Sequence, residues 1–196
     1  MNTNSFEHAE SVYKDSKHMS TLTKSTPSIY VACLAAYNAG FLHGVWIDCT
    51  IGRDEVWEEV KRMLASSPEP DAEEYAIHDY ENFAGYNVSE WSGIDRLCEI
   101  AELLESDQGE LILEIMGHLG SGTTIDDAKE FLEENYRGTH KDVGDYAREL
   151  HEECGYDIPK HLEYYIDWDK MGADMEMSGE IFTIHAGGEM HVFSNN

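Results

Sequence analysis

Forty acidic residues stand against thirteen basic ones in this 196-residue chain, a formal net charge of −27 at pH 7. The first 27 residues contribute nothing to it, because Glu7, Glu10 and Asp15 balance Lys14, Lys17 and Lys24. The whole excess lies in residues 28–196, which hold the other 37 acids and 10 bases. Self-repulsion at this level raises the free energy of any compact state, repels nucleic acid and anionic membrane surfaces, and draws basic surfaces inward. Disorder is the first alternative, since high charge with low hydrophobicity prevents a core. Here 41% of residues are hydrophobic and 11% aromatic, with Trp46, Trp57, Trp91 and Trp168 spread along the chain. The chain folds in spite of its charge.

A fold that carries this cost uses the charge. The readings are a solubility coat, the evenly spread coat of a halophile's enzyme, a calcium-binding protein, or a protein that presents itself to a DNA-binding enzyme in place of DNA. The last suits the pattern best, and its partner is a basic protein surface. Calcium binding needs oxygen ligands at fixed loop spacing. Asp167, Asp169 and Gly172 begin such a loop, but Met171 and Ser178 stand where ligands are required. Gly117 to Thr124 has the skeleton of a phosphate loop, with Thr123 in place of its lysine. His151-Glu152-Glu153 lacks the second histidine of a zinc helix. His185 and His191 bracket a hairpin and are read as structural. No catalytic set has recognisable spacing, so no catalytic residue, cofactor or metal site is assigned.

No apolar run of 18 residues spans a membrane, and the N-terminus carries no apolar signal-peptide core. Cys33, Cys49, Cys98 and Cys154 are scattered without a CxxC pair and read as reduced cytoplasmic thiols.

The expected fold class is α+β: an elongated chain of three small domains with an acidic surface. Residues 1–27 read as a flexible tail, with a short helix near Glu7 to Lys17 and Met19 as an alternative start. Residues 28–91 read as an N-terminal α+β domain. Ile29–Leu34 and Val45–Cys49 form its hairpin, Asp54–Leu64 its helix and Tyr75–Tyr80 a further strand. Residues 92–134 form a helical middle domain, because apolar residues recur at helical spacing in Leu97, Ile100, Ala101 and Leu104, then Leu111, Ile112, Ile115, Met116 and Leu119, then Ala128, Phe131 and Leu132. Residues 135–196 mix a helix over Asp142–Cys154, a turn of helix from Pro159 to Tyr165, and a hairpin around Gly187-Gly188.

The candidate binding surface is a set of acid rows. Asp95, Glu99, Glu102 and Glu105 share one helix face; Glu110 and Glu114 share another; Asp126, Glu130, Glu133 and Glu134 follow, then Glu149, Glu152 and Glu153. Glu55, Glu58 and Glu59 face water on the first long helix. A solvated face interleaves Lys with Glu, yet only Arg96 and Lys129 lie on the middle rows. Acids four residues apart advance roughly 6 Å along a helix, against about 3.4 Å per phosphate on a DNA strand. One row is therefore too sparse, and adjoining helices must supply the missing density.

Several segments together resemble the ArdA antirestriction proteins of plasmids, transposons and phages. They are Ile29-Tyr30-Val31 with Tyr37-Asn38 and Gly40, Gly44 to Trp46, Tyr75 to Glu81, and Asp145 to Arg148 with Glu152, Glu153 and Gly155. Ile158-Pro159, Leu162, Tyr165 to Trp168, Gly172, Asp174 and Ser178-Gly179 complete the match, which covers about residues 28–196. The tail departs from that family's compact start. The resemblance implies a non-enzymatic homodimer that imitates bent B-form DNA and occupies the DNA-binding groove of type I restriction-modification enzymes. It also implies that the C-terminal domain builds the dimer. Tyr164, Met171, Met175 and Met177 are its interface candidates, whereas Tyr165 and Trp168 are read as core. Two chains carry about 54 net charges, which B-DNA holds in roughly 92 Å. Six such domains in line span about 160 Å, so the mean charge density is roughly 60% of DNA's. Aimed carboxylates, not total charge, must carry the imitation.

Overall fold

The computed structural model describes residues 25–195; the expected helix near Glu7–Lys17 and the alternative start at Met19 fall outside them. The fold is mixed α+β, with eight helices and two three-stranded antiparallel sheets among the described residues. The first sheet has order β2-β1-β3, from β1 (Ser28–Cys33), β2 (Gly44–Asp48) and β3 (Tyr75–Glu81). β1 alternates, turning Ile29 and Val31 to the core while Tyr30 meets Trp46 across the outer face at 5.6 Å between ring centroids. The expected hairpin forms, with Val31 opposite Val45 and Ile29 opposite Ile47. Its connection, read as a simple turn at Asn38–Gly40, includes the one-turn helix α1 (Leu34–Asn38).

A 3₁₀ turn (Cys49–Ile51) leads into α2 (Arg53–Ala65), whose Val56, Val60 and Met63 are buried. Asp54 and Glu55 occupy the first turn of α2 and Arg62 its last, in keeping with the helix dipole. Asp48 fixes the turn before it, accepting from Thr50 N at 2.8 Å, Thr50 Oγ1 at 2.7 Å and Thr26 Oγ1 at 2.8 Å. Partial burial pushes the Asp48 pKa up, but these three hydrogen bonds outweigh it and hold the carboxyl below its ordinary value. Its contribution to stability is therefore complete above the unfolded-state pKa and is lost as pH falls through the lower folded-state value. Asp48→Asn is expected to lower the unfolding midpoint at neutral pH and to flatten its decline below about pH 4, measurable by thermal melts across that range.

Three helices follow: α3 (Ile94–Leu103), α4 (Gly109–Leu119) and α5 (Ile125–Asn135). The expected stripes are buried at Leu97, Ile100, Ala101, Leu111, Ile112, Ile115, Ala128 and Leu132, but Leu119, the last residue of α4, is exposed. Thr124 opens α5 with a capping box, accepting from Asp127 N while Asp127 accepts from Thr124 N. The phosphate-loop skeleton is thus divided: Gly117 to Leu119 end α4, and Thr124 caps α5.

The second sheet has order β4-β6-β5, from β4 (Tyr136–His140), β5 (Ile181–Ala186) and β6 (Glu189–Ser194). Gly187 and Gly188 both take positive φ in the two-residue turn between β5 and β6. His185 and His191 do not meet: His191 pairs with Ile184, and its ring bonds to Tyr136 Oη at 3.0 Å and the Ala186 carbonyl at 3.3 Å, while His185 is exposed.

Between β4 and β5 lie α6 (Val143–Glu153), the single turn α7 (Lys160–Glu163) and α8 (Trp168–Ser178). The Asp167 to Ser178 stretch that resembles a calcium loop is α8 itself. Asp167 accepts from Lys170 N as its N-cap, and Asp169 and Gly172 lie inside the helix. A Cβ on Gly172 would run into the Val143 carbonyl of α6, and one on Gly144 would strike Asp169 of α8. These two helices touch backbone to backbone. Gly172→Ala is expected to cost about 1–3 kcal/mol by overpacking, read as a lowered unfolding midpoint.

One contiguous apolar cluster runs from Ile29 and Val31 through Val60, Ile100, Ile115 and Leu132 to Ile184 and Phe193. It passes across both expected domain boundaries. A smaller cluster of Tyr146, Ile181 and Val192 lies under α6, with Met175 packed against it. No helix among the described residues is long and apolar enough to cross a membrane.

Candidate protein-binding surface

Asp95, Glu99 and Glu102 of α3, with Glu105, expected on the same helix but placed in the turn after its end at Leu103, stand as a ridge between two grooves. On one side a groove of about 520 Å³ is lined by Thr50, Asp54 and Glu55 from the turn and α2, and by Asp95, Glu99, Glu102 and Glu105. On the other, a groove of about 1100 Å³ is lined by Glu99, Glu102 and Asp107, and by Asp126 and Glu133 of α5. Glu99 and Glu102 border both. Carboxylates from α2, α3 and α5 thus converge on one region, as one sparse row requires. Folding places this charge outward because the opposite faces of the same helices are apolar: Leu97, Ile100 and Ala101 behind α3, Ala128 and Leu132 behind α5.

The ridge is poorly neutralised. Arg96 bonds Glu99 at 3.0 Å, and the Trp57 indole N–H donates to Asp95 at 2.8 Å. Glu102 and Glu105 have no basic side chain within 4 Å among the described residues, and Lys129 lines the larger groove without an ion pair there. By contrast, Glu58 is bonded to Lys61 at 2.8 Å and Glu59 to Arg62 at 2.7 Å. The hydrogen bond from Lys61 and its charge lower the Glu58 pKa.

The remaining candidates lie elsewhere. Glu110 stands beside the α4 start, facing the β5–β6 turn, and Glu114 borders a groove with residues 84–87 and 120–124. Glu130 and Glu134 are exposed on α5 without lining either ridge groove. On α6, Glu149 faces the His140 ring at 3.2 Å, while Glu152 and Glu153 are exposed. Of all sixteen candidates, only Glu59 is half-buried; the others are exposed. Asp54 and Asp107 are additions to the set. The first sits where a helix begins and the second in a loop, so a search for helical rows passes over both.

At the C-terminal segment, Tyr164 is 91% and Met177 80% exposed, Met171 lies at the edge of exposure, and Met175 is half-buried against the small cluster. Tyr165, read from the sequence as core, is 79% exposed. It follows the single turn α7, and its ring stays in solvent beside Tyr164. Trp168 is half-buried and packs on the His151 ring at 5.4 Å.

Fold and surface together define an acidic α+β protein whose carboxylates are carried on helix faces and converge between grooves. The chain belongs to the ArdA family: the family described as "Antirestriction protein (ArdA)" matches residues 29–189. No curated protein matches it. Family membership implies an antirestriction function and interaction with restriction enzymes.

Proposed function

We propose that this protein inhibits type I restriction-modification enzymes by occupying their DNA-binding groove in place of B-form DNA. The observation that carries this reading is the α3 ridge, where carboxylates of three elements converge and Glu102 and Glu105 lack a cation. A cleft built to hold two phosphate strands presents Lys and Arg at spacings that a ridge with two flanking acid rows can meet. The reading requires no chemistry from the inhibitor. It acts in the cytoplasm, where such enzymes cut incoming DNA, and so serves a mobile genetic element. The test is a gel competition between this protein and labelled DNA for a purified type I methyltransferase core. Displacement of the DNA at stoichiometric inhibitor supports the reading; full DNA binding at a large excess of inhibitor ends it.

The same reading includes an elongated homodimer of three-segment chains, joined at the C-terminal segment around Tyr164, Met171, Met175 and Met177, with the acidic segments directed away from the centre. Tyr165 joins this set through its exposure. Two chains at −27 each repel one another, and salt screens that repulsion over about 10 Å at 0.1 M. Dimerisation through an apolar patch is therefore expected to tighten as salt rises, by sedimentation at low and high salt. A dimer that dissociates as salt increases would rule out the apolar interface.

A further inference from the structure

We propose that Cys49 and Cys98 form a reversible redox pair, closing a disulfide between the turn before α2 and the acid-bearing helix α3 when the protein meets a peroxide. Cys49 opens the 3₁₀ turn and Cys98 lies one helical turn along α3; turn and helix pack directly on each other. The residues are only 1% and 7% exposed, belong to the same apolar cluster, and both line the smaller ridge groove. The groove gives a small neutral oxidant a path to the thiols, while its carboxylates repel an anionic disulfide such as oxidised glutathione. All four cysteines are free in the resting fold. Cys33 is buried beside Ser67 Oγ at 3.4 Å, and Cys154, at the end of α6, lines a different groove from the pair.

Each thiol acts on the other's protonation. The hydrogen bond between them, together with burial, pushes the Cys49 thiol up. The same bond pulls Cys98 below the ordinary thiol value, against burial and the charges of Asp95 and Glu99, and Arg53 assists it. Cys98, the less deeply buried of the two on the groove-lining helix, is the nucleophile, and Cys49 beneath the turn is the resolving thiol. The Cys98 thiolate attacks one peroxide oxygen and the O–O bond breaks, leaving a sulfenic acid and hydroxide, which takes up a proton as water. Cys49 then loses its proton and attacks the Cys98 sulfur; the S–O bond breaks, and the leaving hydroxide departs as a second water. Two thiols and one hydrogen peroxide give one disulfide and two waters, and a thiol reductant reverses the reaction.

The experiment treats the full-length protein with hydrogen peroxide and examines intact mass, thiol count in denaturant, and unreduced peptides. The expected result is a loss of two hydrogens per chain, a fall from four titratable thiols to two, and a peptide joining Cys49 to Cys98. Closing a loop of about 50 residues is expected to raise the unfolding midpoint by roughly 10 °C, reversed by dithiothreitol. Cys49→Ser should leave Cys98 to accumulate sulfenic acid, trapped by dimedone. Four persisting thiols in the wild-type chain, a gain of two oxygens on Cys98 without a crosslink, or chains joined through Cys154 alone would each overturn the proposal.

Discussion

Replacing Asp95, Glu99, Glu102 and Glu105 together by lysine is expected to weaken inhibition of the target enzyme by one to three orders of magnitude, while Glu102→Lys alone is tolerated. Each exposed carboxylate contributes about 0.2–1 kcal/mol to an ion pair with the enzyme. One lost contact therefore changes affinity by less than roughly fivefold, within what neighbouring acids compensate. Four reversals also turn attraction into repulsion along the ridge, so their sum reaches about 1–4 kcal/mol. The variant should remain folded, because all four side chains are exposed and the buried face of α3 is untouched. Asp95 is the exception to watch, since it accepts from the Trp57 indole. A triple variant that keeps Asp95 separates a loss of contact from a local rearrangement. The measurement is inhibitor potency across the single, triple and quadruple variants, with circular dichroism as the folding control. Complete loss of inhibition from one reversal would point instead to a discrete hot spot.

The ridge was half legible in the sequence. The helical rows could be read because α3, α4 and α5 carry apolar stripes at clean spacing, which fixes where the acids on the other face must point. That Glu55 and Asp126 stand on opposite sides of the Asp95–Glu105 row could not be read. It depends on how α2 and α5 pack against α3 and α4, which is tertiary information. The same reason hides Cys49 from Cys98. Besides the one-turn helix α1, two elements were missed outright. β4 lacks an apolar alternation: its Tyr-Arg-Gly-Thr-His is half-exposed, bulged at Gly138, and held as a strand only by pairing with β6. α8 alternates methionines with acids around Gly172, a pattern nearer to a ligand loop than to an amphipathic helix, and close contact with α6 decides it. β1, read from its run of β-branched and aromatic residues, was placed to within a residue.

Direct binding of this protein to its enzyme is expected to weaken by about 10²–10³ between 50 and 200 mM salt. A protein that meets 6–10 phosphates of DNA loses about 10³–10⁵ over that range, because each neutralised phosphate releases condensed counterion. The inhibitor holds its charge at roughly 60% of DNA's linear density by the domain-length estimate, so fewer ions are condensed on it and the slope is shallower. The local ridge is denser than that mean, since acids of α2, α3 and α5 share two grooves and few cations lie among them. This keeps the slope well above that of an apolar interface, whose affinity salt leaves level or improves. Competition against DNA is the wrong readout for this purpose, because DNA loses affinity faster and the inhibitor would seem to improve as salt rises. The two slopes must be measured separately, by calorimetry or fluorescence anisotropy of the labelled inhibitor at several salt concentrations. An inhibitor slope of zero would mean that contacts other than the carboxylates hold the complex together. A slope below DNA's but clearly negative would identify aimed charge as the source of affinity, and would make the inhibitor the stronger competitor at higher ionic strength.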